Sequence, residues 1–250
     1  MLDLQYLWLV GPLVALGAFT QGFTGLGFGI IILAGVVFTP WDFERSTVVV
    51  NLLVLFLQGS VIRASLKDSR IQWNLVGLLV VGLAVGVPLG YWFILAFGNQ
   101  PVFQMVFGVS LAGFAANELI KPRLKAMPRF FGLPAGILGG FLGGAFTSHG
   151  PPLAIFLYSQ HQNPALLKGT LQAVFMIATL YRLVNIIFLG PGISNDVINI
   201  ALICLIIVII FSYLGHRISL KVSSRTFLRV VYTLIAGAGL ANIFRALFRT

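Results

Sequence analysis

Charge is what this sequence holds least of. Aspartate, glutamate, lysine and arginine make up 9% of its 250 residues, against about 25% in an ordinary soluble domain, so water is not its main solvent. Cysteine is nearly absent. The single Cys204 sits in an apolar run, which excludes an intramolecular disulfide and makes it a packing residue. Catalytic and cofactor signatures are missing as well. There is no H-E-x-x-H, no G-x-x-x-x-G-K-[ST] loop and no soluble segment in which to hide one, so neither a metal nor a cofactor is expected. The N-terminus has Asp3 and no basic n-region, and no A-x-A-like site follows the first apolar run; no cleaved signal peptide is read there.

Apolar residues fill the space that charge leaves. They are 58% of the chain, with a mean hydropathy of +1.00. The runs 73–97 and 196–214 meet the ~20-residue length that crosses a ~30 Å hydrocarbon core. The net charge of +10 would suit nucleic acid, but the basic residues are neither gathered on a soluble domain nor interleaved with stacking aromatics, so no nucleic-acid partner is expected. They fall in three short connections: Arg63, Lys67 and Arg70; Lys121, Arg123, Lys125 and Arg129; Arg217, Lys221, Arg225 and Arg229. That is the positive-inside pattern, and it makes these loops the cytoplasmic side of a multi-pass protein of the inner (plasma) membrane, with the lipid bilayer as its partner.

The chain reads as two halves. Apolar arms near 4–20 and 25–38 precede helices near 46–62, 72–97 and 101–119. After a basic linker the order recurs, with arms near 130–146 and 151–160 and helices near 165–189, 195–214 and 226–248. An offset of 123 places Phe23, Thr24 and Gly27 on Phe146, Thr147 and Gly150, and Arg45 and Thr47 on Lys168 and Thr170. An offset of 125 places Ala116 and Asn117 on Ala241 and Asn242. Matches in this order point to an internal duplication, with a first transmembrane repeat over 1–120, a basic cytoplasmic linker over 121–129 and a second repeat over 130–250.

Charge parity sets the orientation. The linker 120–129 and the loop 215–225 are both basic, hence on one side, so an even number of crossings separates them. Helices 165–189 and 195–214 supply two, so the arms 130–146 and 151–160 either form a hairpin returning to its own side or cross twice. With a returning hairpin and three crossings per half, the second half enters upside down. The expected fold is an all-α polytopic membrane protein of two inverted-topology repeats, each a Gly-rich helical hairpin plus three transmembrane helices, as is typical of secondary transporters. Both chain ends then lie outside, where Asp3, Asp42 and Glu44 fit but Arg245 and Arg249 do not; the eleven basic residues of the three loops outvote those two.

The sharpest local signals are the hairpin tips, Q-G-F-T-G-L-G-F-G at 21–29 and G-G-A-F-T-S-H-G-P-P at 143–152. Glycine permits unusual dihedrals there, and proline at a helix start costs no backbone donor, so each tip reads as a helix N-terminus buried in the membrane. Open amides in hydrocarbon cost several kcal/mol each unless packed or facing a wet cavity, and a helix N-terminus favours an anion. Two inverted tips meeting near the midplane would make a small, partly positive pocket, with Gln21, Thr24, Gly25, Gly27, Thr147, Ser148, His149 and Gly150 as candidate binding residues. Alternatively the glycines only let helices pack closely, as Gly82, Gly86 and Gly90 at four-residue spacing are expected to do.

Arg182 stands inside 165–189, about eight residues or ~12 Å from the outer end. An arginine near a helix centre costs at least ~2.5 kcal/mol. It either binds the anion or serves structure, by snorkelling outward or pairing with Asp196. Asn51, Gln58, Gln172 and Asn185 could hydrogen-bond the anion or merely tie helices together. His149 could couple transport to protons or simply donate a hydrogen bond. Ser148 and His149 do not make an enzyme: adjacent residues do not generally face each other, and no acidic orienter is near.

The Gly-rich turn with its short apolar arm, Gly22 to Gly29, repeated after a basic central loop as Gly143 to Pro152, resembles the TauE/SafE sulfite exporter family over nearly the whole chain. The first turn has Gly25-Leu26-Gly27-Phe28-Gly29 where the commonest form is G-x-G-G-G, and His149-Gly150-Pro151-Pro152 in the second copy is also distinctive. The resemblance implies a secondary transporter exporting sulfite, a sulfonate or a related small anion. Export suits the energetics, since a monovalent anion leaving a cell held about 100 mV negative inside gains ~2.3 kcal/mol. A channel-like conduit, a carrier for another small carboxylate or metal-linked substrate, and a membrane subunit serving a partner protein are the alternatives. A homodimer is compatible with the sequence.

Overall fold

Among the described residues ten α-helices stand where ten apolar segments were expected. The computed structural model describes residues 7–24, 27–36, 38–67, 71–98, 100–120, 126–160, 164–190, 192–219 and 224–248, and among these every regular element is helical. In order they are α1 (Leu7–Thr24), α2 (Phe28–Val36), α3 (Phe43–Lys67), α4 (Trp73–Phe97), α5 (Pro101–Ile120), α6 (Gly132–Phe146), α7 (Gly150–Ser159), α8 (Pro164–Leu189), α9 (Asn195–Ser219) and α10 (Ser224–Phe248). Short-range chemistry sets several starts. Asp42 Oδ1 accepts the Arg45 N–H at 2.9 Å, an N-cap that begins α3 three residues earlier than expected. Prolines open α5 and α8, where a missing N–H is no loss. Asp196 in the first turn of α9 and Arg217 in its last both complement the helix dipole.

Length sorts the helices into two kinds. α3, α4, α8, α9 and α10 have 25 or 26 residues and α5 has 20, or ~30–39 Å of rise, whereas α2 and α7, with 9 and 10 residues, reach only ~15 Å, half a hydrocarbon core. The short helices fold back on their predecessors. Gly35 faces Leu13 and Gly17 faces Phe28 and Ile32, while Gly139 faces Leu153 and Gly143 faces His149, each so closely that a Cβ would crowd its neighbour.

Among the described residues four segments are long and apolar enough to cross a membrane: Trp73–Phe97, Arg129–Phe146, Gly169–Leu189 and Asn195–Ser219. The buried face of α3 carries Ser46, Thr47, Asn51 and Gln58, and shorter apolar stretches lie over Pro101–Asn117 and Ile235–Phe248. The exposed surface is itself oily. Leu202, Ile206 and Ile210 of α9 are each at least 50% exposed, a stripe that belongs in lipid rather than water. The protein is a multi-pass α-helical membrane protein.

The described helices pack in two compact units. Unit 1 takes residues 1–50, 94–122 and 194–250, and unit 2 takes 51–93 and 123–193. In unit 1, α5 and α10 approach through Gly108 and Gly239, where a Cβ on one would come within 2.8 Å of the other's backbone. In unit 2, Gly82, Gly86 and Gly90 of α4 meet the carbonyls of Leu133, Ile137 and Phe141 of α6, the close packing expected of that spacing. One pattern occurs in both units. Gly22 of α1 abuts the Ser212 carbonyl and Gly215 of α9 the Phe19 carbonyl; likewise Gly144 abuts the Val87 carbonyl and Gly90 that of Phe141. Phe19 and Gly22 precede Phe141 and Gly144 by 122 residues, and Val87 and Gly90 precede Ser212 and Gly215 by 125.

Candidate functional site

The second hairpin breaks over three residues. At its end α6 turns on Thr147, at φ 51° and ψ 29°, whose N–H reaches back to the Gly143 carbonyl at 2.9 Å while the Ser148 N–H points to Leu142 O at 3.4 Å. This closes carbonyls that the helix end would leave open. Thr147 is the one described residue other than glycine at positive φ, a left-handed conformation that costs an L-residue about 1–2 kcal/mol. α7 then starts at Gly150 with Pro151 and Pro152 in its first turn. Prolines carry no N–H, so of residues 150–153 only Gly150 and Leu153 present an amide.

His149 occupies the bend. Its ring lies against Gly143, where any Cβ would overlap the imidazole, and 6.1 Å from the Phe175 ring of α8. It is 4% exposed, and its Nε2 has no hydrogen-bond partner among the described residues.

Arg182 of α8 is wholly buried, so it does not snorkel outward. Its Nε donates to the Gly144 carbonyl at 2.8 Å, its Nη1 stands 3.5 Å from Asn51 Oδ1, and its Cζ lies 5.7 Å from the Tyr91 ring centroid. The guanidinium therefore meets the carbonyl end of α6, where the helix dipole welcomes a cation, one residue from the glycine that seats His149. Asn51 Nδ2 in turn donates to the Thr179 carbonyl at 3.3 Å, tying α3 to α8. The Gly144 and Asn51 oxygens that Arg182 meets are both neutral.

The first tip belongs to unit 1 and is described within it. The tip was read over 21–29; instead α1 continues to Thr24 and α2 starts at Phe28. Gly22 lies within the helix, where α9 comes too close for a side chain, whereas Gly27, at φ 103°, uses glycine's conformational freedom. Gln21 Oε1 accepts the Phe28 N–H at 3.3 Å, so a side chain of α1 caps the start of α2. Gly25 and the Thr24 side chain lie outside the described residues, as do Asp3, Arg70, Lys121, Arg123, Lys125, Lys221, Arg249 and the side chains of Arg63, Lys67 and Arg225.

The sequence profile of the sulfite exporter TauE/SafE family matches residues 10–242. This chain belongs to that family. It is accordingly a transporter and not an enzyme. A "Probable sulfite/organosulfonate exporter TauE" of Cupriavidus necator is 25% identical over 242 residues, 94% of this chain and 93% of that one. A "Probable inner membrane transporter protein TsaS" of Comamonas testosteroni is 20% identical over 190 residues, 76% of this chain and 80% of that one. No solved structure matches.

Within this TauE/SafE protein the polar groups of unit 2 form a stripe. Gln58 follows Asn51 by seven residues on α3, and Gln172 precedes Thr179 by seven on α8, so each shares a helical face with its partner; both glutamines are buried. Asn185 turns away from this role, its Nδ2 donating to the Tyr181 carbonyl one turn earlier at 2.8 Å. Thr147 is buried and Ser148 and Gly150 half-buried at the break. Tyr91 and Thr179 were not anticipated, since a tyrosine and a threonine inside apolar helices leave no distinctive mark. Among the described residues no group of His, Cys, Asp and Glu could hold a metal ion.

Proposed function

We propose that this chain exports a small sulfur-containing anion, of the sulfite or organosulfonate type, across the inner (plasma) membrane, and that Arg182 with the second hairpin tip is where unit 2 meets it. One observation carries the reading: a guanidinium buried in a lipid-embedded unit, 2.8 Å from a carbonyl of the broken hairpin. An arginine at such depth costs at least ~2.5 kcal/mol, which an arriving anion offsets. Its planar fork suits two oxygens of a sulfite or sulfonate group, and His149 Nε2 and the Gly150 N–H are donors for a third. Asn51, Thr147, Ser148 and Gln172 complete the proposed site in unit 2; Gln21, Thr24, Gly25 and Gly27 are candidates for anion contact within unit 1. The printed names of the two relatives support the substrate class and the membrane.

The two halves are inverted repeats on this reading. Loop charge parity calls for it when the hairpins return, and α2 and α7 are too short to do otherwise. The glycine-to-carbonyl contacts repeated at offsets of 122 and 125 support a common origin of the halves. Proteoliposome flux over sulfite, thiosulfate, sulfoacetate, taurine and sulfate, with and without an imposed pH gradient, tests the proposal. Saturable flux of sulfite or a sulfonate with counterflow is the expected result. Flux without saturation or counterflow favours a conduit, and no flux of any sulfur anion by folded protein rejects the reading.

A further inference from the structure

Unit 1 also holds an apolar slot formed by α1, α2 and α10. It has a volume of about 240 Å³ and a wall that includes Leu13, Leu16, Ile31, Ala34, Phe38 and Ala238. Leu16 and Phe38 are 36% and 48% exposed, so in a membrane the slot opens to hydrocarbon. Such a wall offers a polar solute nothing. A charge marks one end: Arg245 lies seven residues beyond Ala238 on the same face of α10, ~10 Å along the axis, with its Cζ 4.5 Å from the centroid of the Phe38 ring. On the proposed topology that end of α10 faces outward, where the positive-inside rule gives an arginine no reason to be.

We propose that this slot binds one anionic phospholipid of the surrounding bilayer, an acyl chain lying along Leu16, Ala34 and Ala238 and the headgroup phosphate meeting Arg245. The parts match the ligand in order, oily along the slot and cationic only at the end near the helix terminus, where an arginine reaches the headgroup level. The inference is independent of the transported anion, which is assigned to unit 2.

Native mass spectrometry of the purified protein, titrated with phosphatidylglycerol and phosphatidylcholine of identical chains, tests it. Wild type should prefer phosphatidylglycerol by about fivefold, the effect of one arginine near a lipid phosphate. R245Q, a change at an exposed position, should bind both lipids alike. A238F should lose retention of both by filling the slot; A238L replaces it if the larger side chain prevents folding. An undiminished preference in R245Q, wild-type retention in a folded slot-filling variant, or displacement of the lipid by an alkyl sulfonate but not by a second phospholipid would each overturn the proposal.

Discussion

Replacing Arg182 with methionine separates an arginine that binds an anion from one that only holds a helix end. The substitution removes the bond from Nε to the Gly144 carbonyl, 2.8 Å long and made by a charged donor, which is worth about 1.5–3 kcal/mol. It also removes a buried charge that costs at least ~2.5 kcal/mol, and methionine keeps the length and fills the space. These changes oppose one another, with Asn51 Oδ1 and the Tyr91 ring also losing the cation, so stability should fall by about 1–2 kcal/mol, a shift of ~2–8 °C in a chain of this size. Anion binding has no such compensation. Loss of a bidentate, charge-assisted contact in a dry interior is worth about 2–3 kcal/mol, or ~30–150-fold in affinity at 1.4 kcal/mol per decade. Sulfite flux into proteoliposomes, measured beside thermal unfolding of the same preparation, reads both. Arg182→Lys should fall between, because an ammonium keeps the charge but loses the fork. A methionine variant that melts many degrees lower while transporting like wild type would show that Arg182 is a helix cap and nothing more.

Gly143→Ala should cost about 1–3 kcal/mol by overpacking, since its Cβ would overlap the His149 ring, and His149→Ala in the same chain should restore most of that loss in thermal unfolding. Gly90→Ala should destabilise comparably, for its Cβ meets the Phe141 carbonyl, whereas Gly77→Ala and Gly237→Ala, with nothing within 4 Å, should be neutral or gain about 0.5–1 kcal/mol of helix stability. Thr147→Gly relieves a left-handed threonine and should raise stability by about 1 kcal/mol, while Thr147→Val should not. Single cysteines replacing Ser65 or Ser223 should label only from the cytoplasm. Cys204, buried, should add no background in that experiment.

What the membrane demands was legible in the sequence. The runs that became α4 and α9 stood out because hydrocarbon thickness leaves few choices of helix length. What a glycine is for was not legible. Gly22 and Gly144 lie in motifs that look like turns, yet each sits in a helix and is glycine because a carbonyl, that of Ser212 or Val87, presses where a Cβ would be. Neither neighbour is close in the chain. The same holds for Arg182. A charged residue in an apolar run is conspicuous, but the Gly144 carbonyl it grips is backbone, and no residue type announces it. Nor could periodicity show that α1 would pack along α9, a contact spanning most of the chain.

These particulars move the weight of the anion argument. A broken hairpin attracts anions through amides left open at a helix start, but α7 has two prolines in its first turn and the first amide of α2 is already met by Gln21. Each of these features removes an open donor, and a dipole's half charge fades within a turn. On the proposed reading the buried guanidinium therefore supplies the larger share of positive field at the second break, held by the Gly144 carbonyl at the end of α6. If so, lengthening the supply of amides should not substitute for the arginine: Pro151→Ala, which adds one N–H at the α7 start, should leave the flux of Arg182→Met as low as before. Recovery of flux in that double variant would return the leading role to the helix end.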